Sequence, residues 1–588
     1  MTSLIKSLSL KNFKGFSEEV QIEFRPITLL FGANSAGKSS VLHAMQYVRE
    51  ILERNNANAD RTLQGGDAVD LGGFQNLVHG RDRERCIEIE IEMALGDDSI
   101  PELVPEAFED WQTTDDDVFK FYEALQTIRR KVSTVSIRLV IGWNSYAEMP
   151  VVVGYEIGTN GVWCLKLAAP GGSRDTTMKI NRVNPIFMVE AQDDEHLLEE
   201  LDDWVSPTDL GDVELHSDIA GPEATPIQSS PSDLVSKINE LGLKSEELLR
   251  KLKQKLDDPD LIQVQSSQPQ MVSVLNEIFY SVQEAGMERP GDGLRSWLNG
   301  FNGALPRLDQ MLFIPAPGAM GAANVYIARE FTAFLSWLTI GPAMLLRDQL
   351  RKLRYIGPLR RIPPRGFDAS LTKIDSGWSD GMAGWESLLS GSQSLVENCS
   401  DWMKDPEKLG TGYGVARKRV QEYDLSGLEP HAIGRVRSQL ALVDAAGLHH
   451  QPQDVGVGIS QVLPVVVAAQ DANASVVCIE QPELHIHPSV QVGLGDLFID
   501  GALNKGLSFL IETHSEHLIL RLLRRIREAA ELPTSDPSST ITPALLGVYS
   551  LTRHNGTANA TEIPVNSDGE FGKAWPQGFF DERGAELF

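Results

Sequence analysis

Hydrophobic positions in the first fifty residues fall into short strands that feed a helix. Leu4, Leu8 and Leu10 mark one strand, Val20 to Phe24 a second, and Ile27 to Phe31 a third in which only Thr28 is polar. A short apolar run closed by a glycine, here Gly32, predicts a central strand buried on both faces. Val41, Leu42, Met45 and Val48 then recur at helical spacing. Between Arg85 and Met93, Ile87, Ile89 and Ile91 alternate with Glu88, Glu90 and Glu92, which predicts an antiparallel strand with one wet face. Thr134 to Ile141, Val151 to Ile157 and Val162 to Leu167 continue the strand pattern.

After Gln192 the pattern changes. Asp193-Asp194-Glu195, Glu199-Glu200 and Asp202-Asp203 lead into a Pro/Ser-rich stretch near Pro222 to Pro231. Leu234, Ile238, Leu241, Leu248 and Leu252 then form part of a helical stripe, without the sustained heptads of a long coiled coil. Asp193 to Pro306 therefore reads as an inserted acidic lobe or short arm. Helical patterning resumes from Asn324 to Leu353, and Tyr355-Ile356-Gly357-Pro358-Leu359-Arg360-Arg361 marks the return to a packed domain. Further apolar strands at Val476 to Ile479 and Leu507 to Ile511 precede a helix from Leu518 to Ala530 and a Pro/Ser loop from Pro533 to Ser539. A strand pair follows near Leu546 to Leu551 and Ala560 to Ile563. The expected divisions are 1–95 and 354–530 as two parts of one α/β head, 96–192 as an antiparallel β-rich subdomain, 193–353 as the inserted, mainly helical lobe, and 531–588 as a small tail.

Composition narrows the class. The 588 residues exceed what one core fills, roughly 250–300, and 42% hydrophobic with 23% charged residues excludes wholesale disorder. Asp and Glu number 82 against 53 Lys and Arg, a net charge of −29, which argues against a generally basic, nucleic-acid-coating surface and leaves room for a local basic groove or a dimer cleft. Cys86, Cys164, Cys399 and Cys478 lie far apart, so neither a disulfide framework nor a zinc ribbon is expected, and the compartment reads as reducing. The longest apolar stretch, Leu335 to Leu346, falls short of the about 20 residues that cross a bilayer. Met1 to Lys6 runs directly into a strand pattern with no apolar signal region, so a cytoplasmic protein without a membrane partner is expected.

The strongest chemical signal is Gly32-Ala33-Asn34-Ser35-Ala36-Gly37-Lys38-Ser39, which fits GxxxxGK[ST] between a strand and a helix. Its glycines let successive N–H groups and the helix N-terminus face phosphate, Lys38 adds a charge on the β/γ-phosphates and Ser39 offers a hydroxyl to Mg²⁺. Gly32, Asn34, Ser35, Ala36, Gly37, Lys38, Ser39 and Ser40 are thus candidate nucleotide-binding residues. Val476 to Glu480 ends a buried strand in a carboxylate, where a second magnesium ligand belongs. His485 and His487, beside Pro488, read as turn residues rather than a zinc pair. The small residues between Asp454 and Pro464 allow close backbone approach to a ligand, and the later strand is capped by Glu512-Thr513-His514-Ser515.

In this order the residues resemble an ATPase of the ABC type, within it the RecF, SMC and OLD-like branch of DNA repair and bacterial antiphage defence. The resemblance implies an ABC-ATPase head with a mixed sheet, Gly32 to Ser39 as Walker A, and Gly458-Ile459-Ser460-Gln461 as the signature. Glu480 takes the Walker B position and His514 that of the switch histidine, while Gln75, in Leu71 to Gly80, is a Q-loop candidate joining Ser39 and Glu480 at the metal. Tyr355 to Arg365 and Trp575 to Arg583 also resemble segments of OLD-like ATPases. Such heads face each other, so the resemblance implies ATP and Mg²⁺ held between the Walker loop of one copy and Gly458, Ser460 and Gln461 of another, in a homodimer or larger homo-oligomer. Many relatives place a second glutamate after the Walker B acid; here it is Gln481, which orients water but cannot take its proton. Two expectations follow: slow or partner-gated hydrolysis unless Glu483, His514 or a partner supplies the function, or competent hydrolysis, since Glu480-Gln481-Pro482-Glu483 resembles a regular variant of OLD-like ATPases; Glu480, Gln481, Glu483 and His514 are the candidate catalytic set.

OLD-family nucleases carry a Toprim domain with an Asp-x-Asp pair. Glu516 to Phe588 contains none, so cleavage by this chain alone is not expected. Two functions remain: an ATP-driven sensor or scaffold controlling a separately encoded effector, a nuclease or toxin, in antiphage defence; or a repair-type ATPase that binds DNA ends or gaps through a basic channel. The acidity of the chain favours the first.

Overall fold

β3 (Ile27–Gly32) is buried along its whole length, as its uninterrupted apolar run requires. Before it, β1 (Ile5–Lys11) and β2 (Val20–Glu23) pair antiparallel, with Leu8 opposite Ile22. The computed structural model describes residues 4–54, 70–96, 100–103, 126–169, 176–186, 294–295, 303–312, 322–367, 377–531 and 540–572, apart from isolated positions. Most of the acidic lobe expected between 193 and 306, and the segment 575–583, lie outside the described residues. Two compact units emerge, one drawn from Met1–Glu50, Ala59–Gly80 and Asp348–Phe588, the other from Ile51–Asn58 and Arg81–Arg347.

The second unit is built on an antiparallel ladder of β4 (Ile87–Ala94), β5 (Thr134–Asn144), β6 (Met149–Thr159), β7 (Val162–Ala168), β8 (Thr177–Ile180) and β9 (Leu294–Arg295). Ile87, Ile89, Ile91 and Met93 are buried and the intervening residues are not, which is the alternation the sequence predicts. On the wetter face Arg138 bridges Glu90 at 2.7 Å and Glu156 at 3.5 Å. The helix Ala322–Arg351 packs here through Thr339, whose carbonyl accepts the Tyr155 hydroxyl at 2.6 Å.

The first unit holds a six-stranded sheet in the order β10-β14-β15-β3-β16-β17, built from β10 (Arg354–Ile356), β14 (Val476–Glu480), β15 (Ser508–Glu512), β3, β16 (Leu546–His554) and β17 (Thr557–Glu562). All neighbours are parallel except β16 and β17. Register sets Glu480 beside Glu512 and Glu512 beside Leu30, so the carboxyl ends of three strands share one edge, the edge where parallel α/β sheets take ligands. Val466 of the helix Val457–Gln470, Leu497 and Phe498 of Pro488–Lys505 and Leu522 of Glu516–Glu531 join Leu29, Ile479 and Ile511 in one apolar core. A separate antiparallel sheet comprises β11 (Tyr413–Asp424), β12 (His431–Asp444) and β13 (His449–His450). The mixed sheet and antiparallel sheets agree with the expected fold class. Among the described residues no helix is long and apolar enough to cross a membrane.

Candidate nucleotide site

Gly32 leaves β3 with a φ of 146°, and a Cβ there would stand 2.2 Å from the carbonyl oxygen of Leu551 on β16, so only glycine lets the chain turn away at this point. Ala33, Asn34 and Ser35 form an exposed crown, Ser35 with φ 64°, while Ala36 is buried beneath it. Gly37 returns the chain with φ 106° to the helix Lys38–Arg54, and Ser40 N–H donates to its carbonyl at 3.1 Å. The helix N-terminus thus opens directly onto the loop.

Lys38 is only 4% exposed. Its Nζ donates to the carbonyls of Gly32 and Ala33, 3.0 Å each, and lies 3.8 Å from Glu512. Burial lowers the ammonium pKa, and Glu512, Glu483 and Glu480 oppose that shift. The Ser39 hydroxyl donates to Glu512 Oε2 at 2.6 Å. Burial raises the Glu512 carboxyl, with Ser39 and Lys38 working against it.

Glu480 ends β14 buried and accepts the Tyr355 hydroxyl at 2.6 Å, with His43 Nε2 at 3.5 Å. His43 Nδ1 lies 2.5 Å from Lys14 Nζ, and burial lowers the Lys14 pKa to about 8. A protonated amine only donates, so Nδ1 accepts and the ring proton sits on Nε2, facing Glu480. Gln481 adopts φ 44°, and its N–H donates to the Glu512 carbonyl at 2.8 Å. Glu483 accepts from Thr513 Oγ1 at 2.8 Å and from the His514 N–H at 2.7 Å, and burial raises its carboxyl pKa. Burial and the nearby Lys38 lower the His514 pKa, which leaves a neutral imidazole at pH 7.

The donor set is hard and oxygen-rich: the Ser39 hydroxyl and the Glu480 and Glu512 carboxylates at one sheet edge, which suits Mg²⁺. Among the described residues no three His, Cys, Asp or Glu side chains close into a metal cage on their own. Magnesium does not need one, because it takes its remaining ligands from water and phosphate.

Other sequence candidates fall elsewhere. Gln75 is exposed on the single turn Phe74–Leu77, which docks on Lys14 through the Leu77 carbonyl. Gly458 lies in the first turn of the helix Val457–Gln470, where a Cβ would meet the His485 carbonyl at 2.5 Å. Ser460 is fully buried and donates to the Pro452 carbonyl at 3.0 Å. Gln461 is buried against the backbone of Arg360. The side chains of Ser460 and Gln461 thus turn into their own chain, while the exposed backbone at Gly456 and Val457 forms the open end of that helix. His487 caps the helix Pro488–Lys505 by accepting from the Ser489 N–H, and His485 is an exposed turn residue with φ 62°. Sequence reasoning gave no role to Glu512, Tyr355, His43, Lys14 or Arg360. The signals available were the strand-end position of Glu512 and the place of Tyr355 and Arg360 in a segment already singled out.

Residues 4–149 match the family model described as "AAA ATPase domain", and residues 324–521 match one described as "AAA domain, putative AbiEii toxin, Type IV TA system". Both matched stretches are similar to AAA-type ATPase domains. Lys38 and Ser39 fall in the first match, Glu480, Glu512 and Arg360 in the second. No curated protein matches the chain. Among solved structures, the Smc head domain with an extended coiled coil bound to the C-terminal domain of ScpA from Pyrococcus furiosus is similar at 12% identity and a TM-score of 0.35, covering 96% of this chain and 97% of that one. The SMC head domain from Thermotoga maritima is similar at 8% identity and a TM-score of 0.32, covering 96% and 100%. At these scores neither fold nor chemistry follows from the likeness.

Proposed function

We propose that this chain is a cytoplasmic, ATP-driven switch: the Gly32 to Ser40 loop holds ATP with Mg²⁺, and two copies clasp the nucleotide between that loop and the open helix end at Gly456 to Gly458 of the second copy. The state of the clasp then controls a separately encoded effector, a nuclease or toxin, in antiphage defence. The observation that carries the nucleotide reading is Lys38, a buried ammonium resting on two loop carbonyls at the edge where Ser39, Glu480 and Glu512 converge. Neutral carbonyls hold such a cation weakly, so phosphate oxygens draw it away readily.

Ser39, Glu480 and Glu512 would hold the metal, which when bound neutralises charge on the β/γ-phosphate oxygens. Tyr355 and His43 fix Glu480. Neutral His514 donates to the γ-phosphate, and Gln481 orients the attacking water. ATP and water give ADP and phosphate, but the amide of Gln481 takes no proton, so turnover is slow until another group accepts it.

ATP binding by calorimetry, turnover and sedimentation with and without nucleotide test the reading. Wild type should bind ATP and sediment as a dimer with it, and Lys38→Ala should do neither. Gln481→Glu should speed hydrolysis if the missing base limits turnover. Identical behaviour of wild type and Lys38→Ala would defeat the proposal. Many-fold stimulation by DNA, with no nuclease or toxin in a neighbouring reading frame, would replace the effector reading by the repair one.

A further inference from the structure

Arg360 lies on the segment after β10 and is 4% exposed. That segment is wedged in place: Gly357 N–H donates to the Ser379 carbonyl at 2.9 Å, Arg361 N–H to the Asp380 carbonyl at 2.7 Å, and a Cβ on Gly381 would come within 3.2 Å of Arg360 Cβ. One amide clasps the Arg360 backbone from both sides. Its N–H donates to Gln461 Oε1 at 3.2 Å, and its carbonyl accepts Gln461 Nε2 at 2.5 Å. The guanidinium reaches the other way, Nη2 donating to the carbonyls of Glu480 at 2.7 Å and Gln481 at 3.1 Å. Among the described residues, Nε and Nη1 meet no hydrogen-bond partner although both are buried. Folding alone disfavours a buried cation with unpaired donors, so a role beyond stability is the economical reason for its presence.

Arg360 joins two places that the reaction needs to coordinate. Gln461 sits one turn from the open end of the helix Val457–Gln470, and the Glu480 and Gln481 carbonyls flank the left-handed residue that follows β14. We infer that Arg360 is a positioning residue for hydrolysis: it sets the aim of the Gln481 side chain by holding the carbonyls on either side of it, and it transmits to Gln481 any shift of the helix when a second copy docks. This rests on the ATPase reading above. The planar guanidinium holds two carbonyls at a fixed angle, which a lysine ammonium cannot reproduce.

Turnover, nucleotide affinity and thermal unfolding are measured on the full chain for wild type, Arg360→Lys, Gln461→Leu, Gln481→Ala, the pairings of Gln481→Ala with each of the other two, and Lys38→Ala. Arg360→Lys should lower kcat by about 10- to 100-fold while KM and affinity stay within about threefold. In the Gln481→Ala background the same change should lower kcat no further, although the losses in unfolding temperature add. If Arg360→Lys fails to fold, Gln461→Leu with and without Gln481→Ala gives the same comparison. An unchanged kcat overturns the inference, as does a parallel loss of affinity, or a full further loss of kcat without Gln481. Lys38→Ala inactive beside a normal Arg360→Lys sinks this inference alone; Lys38→Ala as active as wild type sinks the ATPase reading with it.

Discussion

Glu512 faces both cationic and neutral parts of the loop, bonding the Ser39 hydroxyl while lying 3.8 Å from Lys38. Glu512→Gln keeps an acceptor for Ser39 and removes the charge. The Mg²⁺ concentration for half-maximal ATP binding should then rise about tenfold or more, read by fluorescent-nucleotide titration against Mg²⁺; an unchanged titration would leave the metal to Glu480. Lys14 gives a pH prediction. Burial lowers its folded pKa to about 8 from 10.5, so between those values the unfolded chain binds more protons and stability rises with pH. Urea unfolding of wild type at several pH values across that window should show this gain, and Lys14→Met should lack it. At this scale the sequence displays what is local. The spacing of Gly32, Lys38 and Ser39 is set by one loop, whereas Glu512 meets Ser39, and Arg360 meets Gln481, only through strand register and a distant turn.

Elements with one wet and one dry face are the legible ones. β4 alternates as written, and β3 and β14 are buried throughout and mainly apolar because sheet and helices cover both sides. β11 and β12 are not legible, since their outer half leaves Val420, Tyr423, Ile433 and Val436 exposed among charges and no apolar period survives. β10, three residues long, offers no period at all. Between the helices Pro488–Lys505 and Glu516–Glu531, Asp496 accepts from Arg521 and Arg525 at 2.5 to 3.2 Å. Burial would raise its pKa, but the hydrogen bonds from Arg525 and Arg521 hold it below the usual carboxylate range. That stabilisation is complete above the unfolded pKa of 3.8 and fades as pH falls through the lower folded value. Asp496→Ala should therefore lose roughly 2–3 kcal/mol at pH 7, somewhat less than a fully buried pair because Arg525 is 37% exposed, and should flatten the acid limb of the stability profile, measured by denaturant titration.

For the whole molecule, a net charge of −29 per copy sets a long-range repulsion against any pairing of two chains. ATP-dependent association should therefore tighten as salt rises from about 50 to 300 mM, because the Debye length shortens across that range. Sedimentation across that series checks it; the opposite trend would indicate opposite charges paired across the interface between copies. The sheet also ties the site to synthesis. β3 lies between β15 and β16, strands made hundreds of residues after it, and the carbonyl that fits against Gly32 belongs to Leu551. A ribosome carries the phosphate loop through most of translation without the neighbours that shape it, and such distant pairings form late and slowly. Chains that stop short of β16 would lack the Leu551 carbonyl that fits against Gly32, so under the proposed nucleotide-gated clasp only copies that include β16 would assemble.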